Sequence, residues 1–214
     1  MTVAAVVVAA GQGLRFGAPK QFARLGTQSV ARHSIDAARS VASLVVLVVP
    51  SNYDGNGDGA DVVTTGGRTR GDSVRAGLAY CSDADVVVVH DAARPLASPS
   101  LFRAVVDAVL HGADAAIPGL PVTDTVKRVV HEVENVVVTN TVPREDLVTV
   151  QTPQAFRRDV LERAHASATN ATDDAALVEA LGGRVVIVAG EPQNLKITVP
   201  GDLEQVAQWQ RSNA

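Results

Sequence analysis

Cysteine is almost missing from this chain: Cys81 stands alone, which excludes an internal disulfide framework and points to a reducing compartment, the cytoplasm. No apolar stretch reaches the eighteen or so residues of a membrane span. The N-terminus has neither the charged start nor the cleavage site of a signal peptide. There is no block of basic residues, and the net charge is −4, so the electrostatic footprint of a nucleic-acid binder is absent. Lysine is scarce too. Of nineteen Lys and Arg residues only Lys20, Lys127 and Lys196 are Lys, and a Lys kept among so many Arg suggests a need for a flexible stem with a compact charge. Repeats and low-complexity tracts are also lacking. The 214 residues are expected to form one domain, 1–214, large enough for a substantial core.

The chain is organised around its first twenty residues. A Val-rich run of strand length, 3–10, breaks into a loop that carries Gly11, Gly13 and Gly17 with two cations, Arg15 and Lys20. Glycines let main-chain N–H groups close around an anion, and the cations add full charge to the same place. The loop therefore reads as a phosphate cradle. It is not a dinucleotide fingerprint, because the third Gly falls one residue late and the second strand ends in Pro50-Ser51-Asn52 with no acid for a ribose. Nor is it a Walker loop, because Ala18 and Pro19 precede Lys20 and Gln21 follows it. The pattern resembles the signature of nucleotidyltransferases that join an NTP to a sugar or polyol phosphate.

Further on, helices are expected over 29–40, up to about 80, over 98–111, up to about 168, and from Pro200. Either Thr172 or Asp173 is placed to cap another. Strands are expected at 44–49, 61–64, 85–89, 113–118 and 184–188, with 52–59 as a surface loop and 193–198 as strand or loop. Continuous Val strands between amphipathic helices indicate an α/β fold: a Rossmann-like, mostly parallel sheet sandwiched by helices. In such a sheet the loops after the strand ends form the binding crevice, which is where 11–20, 66–73 and 90–95 fall. Segments 122–130 and 136–142 flank a polar turn and read as a protruding β-hairpin, an arm spanning 121–145. A lone hairpin is marginal in water. It needs a surface, either a second copy of the chain or its own domain.

With these segments in order, the chain resembles the 2-C-methyl-D-erythritol 4-phosphate cytidylyltransferase family over nearly its whole length. The resemblance is carried by AAGQGLRFGAPKQF, GGRTRGDSV, VHDAARP, VTDTVKR, TVPR, QTPQAF, ATDDAALVE and NLKIT. Two features depart from the family pattern: a short 52–59 loop, and Arg68 where an acid often stands. The resemblance implies that a phosphate oxygen of the polyol phosphate attacks the α-phosphorus of CTP and releases pyrophosphate. A phosphomonoester has a second pKa of about 6, so this nucleophile arrives ionised and needs no general base; His90 is rejected for that role. The protein's task is to supply positive charge and positioning.

By the same resemblance Arg15 and Lys20 serve the α-phosphate and the transition state, and Arg144 and Lys196 orient the acceptor phosphate. Ala9, Ala10, Gly67 and Ser73 hold cytosine and ribose largely through main chain, with Gly11 and Gly13 in the cradle and Ala92 and Arg94 beside Asp91 in the third loop. Arg144 and Thr125 reach the site of a partner in a homodimer joined through the arm. Asp91 either supports Mg²⁺ on the triphosphate or caps the next turn and pairs with Arg94. Thr152 and Thr172 either donate to phosphate or polyol hydroxyls or, for Thr172, cap a helix. The rivals are a ribitol 5-phosphate cytidylyltransferase and a catalytically silent nucleotide-binding domain. A nicotinamide-dependent dehydrogenase is a weaker third.

Overall fold

The computed structural model describes residues 1–167 and 171–212. The chain runs β1 (Val3–Val8), β2 (Arg24–Leu25), β3 (Gln28–Ser29), α1 (Val30–Ala38), β4 (Leu44–Val49), β5 (Val62–Thr65), α2 (Arg70–Leu78), β6 (Val86–Asp91) and α3 (Pro99–Leu110). It continues through β7 (Ala115–Pro121), β8 (Val126–His131), β9 (Val136–Val142), β10 (Val148–Val150), β11 (Gln154–Arg157), α4 (Arg158–Ser167), α5 (Asp174–Ala180), β12 (Val185–Ala189) and α6 (Pro200–Ser212). The expected end of α4 at Ala168 lies outside the described residues.

The sheet is ordered β5-β4-β1-β6-β11-β7-β12, with β10 also along β7. Pairings β1–β4, β1–β6, β4–β5 and β7–β12 are parallel, while β10 and β11 run antiparallel to their neighbours. Successive strand residues face opposite sides, so a Val run buried on both faces feeds two cores. Ala5, Val7, Val45 and Leu47 meet α1 and α3 through Ile35, Leu101 and Phe102. Ala4, Val6, Val46 and Val48 meet α2, α4 and α5 through Val74, Leu161 and Val178. Gly77 of α2 lies directly against Val6 and Val48, with no room for a Cβ. A third, smaller core joins Leu25, Val30, Ile197 and Val206 and seats α6.

Several boundaries differ from the sequence reading. Strand β6 continues through His90 and Asp91, which pair with Val7 and Val8, so both sit on the sheet rather than in the loop. Helix α2 begins at Arg70 instead of after Ser73: Thr69 accepts from the Asp72 N–H and Asp72 accepts from the Thr69 N–H, a capping box that overrides Gly71. Strand β7 extends to Pro121, and the arm begins only at Val126. Segment 52–59 is more ordered than a bare loop: it holds a turn of 3₁₀ helix, with Tyr53 packed on Phe22 at 4.7 Å. Segment 193–198 contains no strand.

Among the described residues strands β8 and β9 pair only with each other, and every residue from 127 to 141 is exposed. The arm does not lie on its own sheet.

Candidate active site

The chain leaves β1 toward β4 on one side and toward β6 on the other, so the ends of these strands flank a topological switch point. Crevices form at such points. Here a cleft of about 480 Å³ opens, lined by the Gly11–Lys20 loop, the start of α2, Asp91 and Lys196. A neighbouring cavity of about 650 Å³ extends it over Pro50, Ser51, Asn52 and Gly66 and shares Ala10, Gly11, Gln12, Gly67 and Arg68 with it.

The first loop holds its shape for local reasons. Gly13 has φ +66°, and a Cβ there would run into the Ala18 carbonyl. Buried Gln21 donates through Nε2 to the Ala9 and Gly11 carbonyls at 2.6 and 2.9 Å, fixing the loop against the turn that carries Lys20. Across the cleft, Gly66 abuts Ala10 and Ser73, and Gly67 abuts Asp72, so glycine lets the second loop close on the first. Buried Ser73 donates to the Thr69 carbonyl at 3.0 Å.

Charge is concentrated in this space. Arg15, Lys20, Arg68, Arg70 and Lys196 line the cleft, and Asp91 is the only carboxylate among the described residues that do. Asp91 accepts from Lys196 Nζ at 2.6 Å and from Arg70 Nε at 3.3 Å. Burial would raise its pKa, yet Arg70 and Lys196 hold its carboxyl well below the usual range. Arg70 also donates to Asp174 at 2.6 Å, and the two carboxylates outweigh burial and keep its guanidinium charged. Lys20 shows the opposite balance: burial, then Lys196 and Arg15, lower its proton affinity.

Beneath Asp91, His90 is fully buried, and burial pushes its pKa down to about 4. The Arg94 carbonyl, 3.2 Å from Nε2, can only accept, so the hydrogen of the neutral ring sits there. Nδ1 then accepts from the Thr152 hydroxyl at 3.1 Å, and that hydroxyl accepts from the Asp91 N–H at 3.0 Å. His90 is thus a brace for the strand end.

Of the residues singled out from sequence, Arg15, Lys20, Asp91 and Lys196 converge in the cleft, walled by Ala9, Ala10, Gly11, Gly13, Gly67 and Ser73. Six do not line it. Ala92 is fully buried behind the strand end, and Thr152 lies under Asp91. Arg94 turns away to the Asn194 carbonyl at 2.7 Å, so Asp91 does not pair with it. Thr172 is exposed, and Asp173 is the residue that caps α5. Thr125 and Arg144 are exposed at the base of the arm, where Arg144 donates to the Thr123 carbonyl.

The sequence reading missed Gln21, Arg70 and Asp174. For Arg70 a signal existed: the Thr69-x-x-Asp72 spacing marks a helix start and puts Arg70 in the first turn, over the cleft. Asp174 gives no such local sign. Among the described residues no three of His, Cys, Asp and Glu are grouped so as to hold a metal ion.

A profile of the family described as IspD, 2-C-methyl-D-erythritol 4-phosphate cytidylyltransferase, matches residues 3–210. A protein of that name from Rhodococcus jostii (strain RHA1) is 47% identical over 210 residues, covering 94% of this chain and 92% of the relative. Another from Rhodococcus opacus (strain B4) is 46% identical over 210 residues, with the same two coverages. The crystal structure of 2-C-methyl-D-erythritol 4-phosphate cytidylyltransferase from Thermus thermophilus superposes with a TM-score of 0.84 at 36% identity, covering 99% of this chain and 100% of that one.

Proposed function

The chain belongs to the 2-C-methyl-D-erythritol 4-phosphate cytidylyltransferase family, and on that footing we propose how its cleft carries out the transfer. The enzyme moves CMP from CTP to 2-C-methyl-D-erythritol 4-phosphate. An acceptor phosphate oxygen bonds to the α-phosphorus while the bond from that phosphorus to the oxygen bridging the β-phosphate breaks, and pyrophosphate leaves with the electron pair. The acceptor is already ionised, so no proton has to be removed.

One observation carries the assignment of roles: Arg15, Lys20 and Lys196 line one cleft in which Asp91 is the only carboxylate among the described lining residues. Like charges held together in this way are relieved by a polyanion, and relieved most as further negative charge forms. Arg15 and Lys20 hold the α-phosphate and the transition state, within the main-chain cradle of Gly11 and Gly13. Lys196 meets the acceptor phosphate. Ala10 and Gly67 line the wider cavity, which takes cytosine and ribose, and Ser73 lines the cleft that adjoins it.

Mg²⁺ fits this site as a companion of the triphosphate, because Mg²⁺ is commonly held by one or two carboxylates together with substrate phosphates. Asp91, whose oxygens accept from Arg70 and Lys196, would be its protein ligand through a remaining lone pair, and the ion would supply neutralisation of the phosphate charge. Arg144 and Thr125 stand outside their own cleft at the base of an exposed arm, which supports a homodimer in which each chain lends them to the other's site. Cys81 fits a reducing cytoplasm as a buried thiol, its pKa pushed up by burial to about 11. Among the described residues no helix is long and apolar enough to cross a membrane.

The experiment is pyrophosphate release from CTP with 2-C-methyl-D-erythritol 4-phosphate or ribitol 5-phosphate as acceptor. Release that depends on the methylerythritol compound is expected; equal turnover of the two would overturn the acceptor assignment.

A further inference from the structure

A line of hydrogen-bonded polar and charged side chains runs from the core to the cleft. At its inner end His165 of α4 donates from Nε2 to Asp174 Oδ1 at 3.0 Å. The other oxygen of Asp174 accepts from Arg70 Nη1 at 2.6 Å, Arg70 reaches Asp91 through Nε at 3.3 Å, and Asp91 accepts from Lys196 at 2.6 Å. The line is fixed at one end and loose at the other: the Asp174 side chain is 2% exposed, that of Lys196 42%. Arg70 is held by Asp174 more closely than by Asp91. Neither Asp174 nor His165 lines the cleft, and the transfer described above makes no use of them.

We propose that Asp174, steadied by His165, is a positioning residue for the transfer: by engaging Arg70 it leaves Asp91 free to hold Lys196 in the cleft. The physical basis is competition for one carboxylate. A largely buried guanidinium must find acceptors, and it favours two-point contact with a carboxylate. Once Asp174 loses its charge, Asp91 is the remaining carboxylate paired with Arg70. Asp91 is then drawn onto Arg70 with both oxygens, and the half-exposed ammonium of Lys196 swings into solvent on its flexible stem. The proposal rests on the reading of Lys196 as the group that meets the acceptor phosphate.

The test is a double-mutant cycle in the full chain, measuring kcat and both KM values for Asp174→Asn, Lys196→Ala and the pair. Asn preserves size and removes the charge. Asp174→Asn is expected to raise the KM for the polyol phosphate about tenfold, to leave that for CTP within about twofold, and to add little once Lys196 is Ala. Additive losses, or equal rises in both KM values, overturn the proposal while leaving the role of Lys196 intact. A Lys196→Ala enzyme with unchanged KM for the polyol phosphate sinks that role and the proposal with it. Should Asp174→Asn fail to fold, the His165 pair decides. Gln keeps an amide donor for Asp174 and should stay within about twofold of the wild-type KM for the polyol phosphate, whereas Leu should raise it severalfold. Equal values for the two, at equal melting temperatures, overturn the proposal.

Discussion

Lys20 is half-buried beside Lys196 and Arg15, and burial together with those neighbours lowers its proton affinity, so negative charge gathering beside it stabilises its ammonium. Lys20→Ala is expected to lower kcat about 100- to 1000-fold while CTP affinity changes little, because the charge acts chiefly on the transition state. Single-turnover rates alongside equilibrium nucleotide binding measure both; a near-wild-type kcat would remove Lys20 from the mechanism. At this scale legibility divides along a physical line. Arg15 and Lys20 were readable because their spacing from Gly11 and Gly13 is a local property of one loop. Arg70 and Asp174 meet across 104 positions of sequence, and no periodicity or cap connects them. Asp91 falls between: its place at a strand end was legible, but its partners, Arg70 and Lys196 rather than Arg94, depend on which way three distant segments fold over it.

Among the elements, the Gly11–Lys20 loop has the strictest requirement. At Gly13 any side chain would have to adopt φ +66° and meet the Ala18 carbonyl as well. Local strain of order 1–3 kcal/mol follows for Gly13→Ala. The expected result is a large rise in the Kd for CTP, seen by calorimetry, with the melting temperature lowered by only several degrees, since the loop lies outside the two main cores. Unaltered nucleotide affinity would show that the loop's shape does not matter for binding. The parallel strands were legible in their Val runs, and so was the hairpin in its two β-branched segments. Strands β10 and β11 were not. Gln151, Thr152 and Pro153 interrupt them, and β11 alternates no polar residues because it is buried between β6 and β7. The start of α2 was misplaced because Gly71 and Ser73 look like loop, while the cap at Thr69 decides the matter.

On the scale of the whole molecule, one chain presents a cleft without Arg144 and an arm without a surface to lie on. The arm exposes Val129, Val130, Val136, Val137 and Val138 on a two-stranded ribbon, which by itself is marginal in water. If each chain lends Arg144 to its partner, Lys20→Ala and Arg144→Ala enzymes, inactive apart, should regain activity when unfolded and refolded together. One site of every mixed dimer would be whole, giving about a quarter of wild-type activity. No recovery, in a mixture that light scattering finds dimeric, would place Arg144 in its own chain's reaction; an Arg144→Ala enzyme active by itself would remove it from the reaction. A last consequence comes from the interior. Gly77 lets α2 settle onto Val6 and Val48 as closely as a backbone can, and the same rigid rod presents Arg70 at its other end. A methyl group added at that contact would act as a shim, tilting the lever whose far tip aligns the ions, so a purely hydrocarbon change would surface as a fault in catalysis.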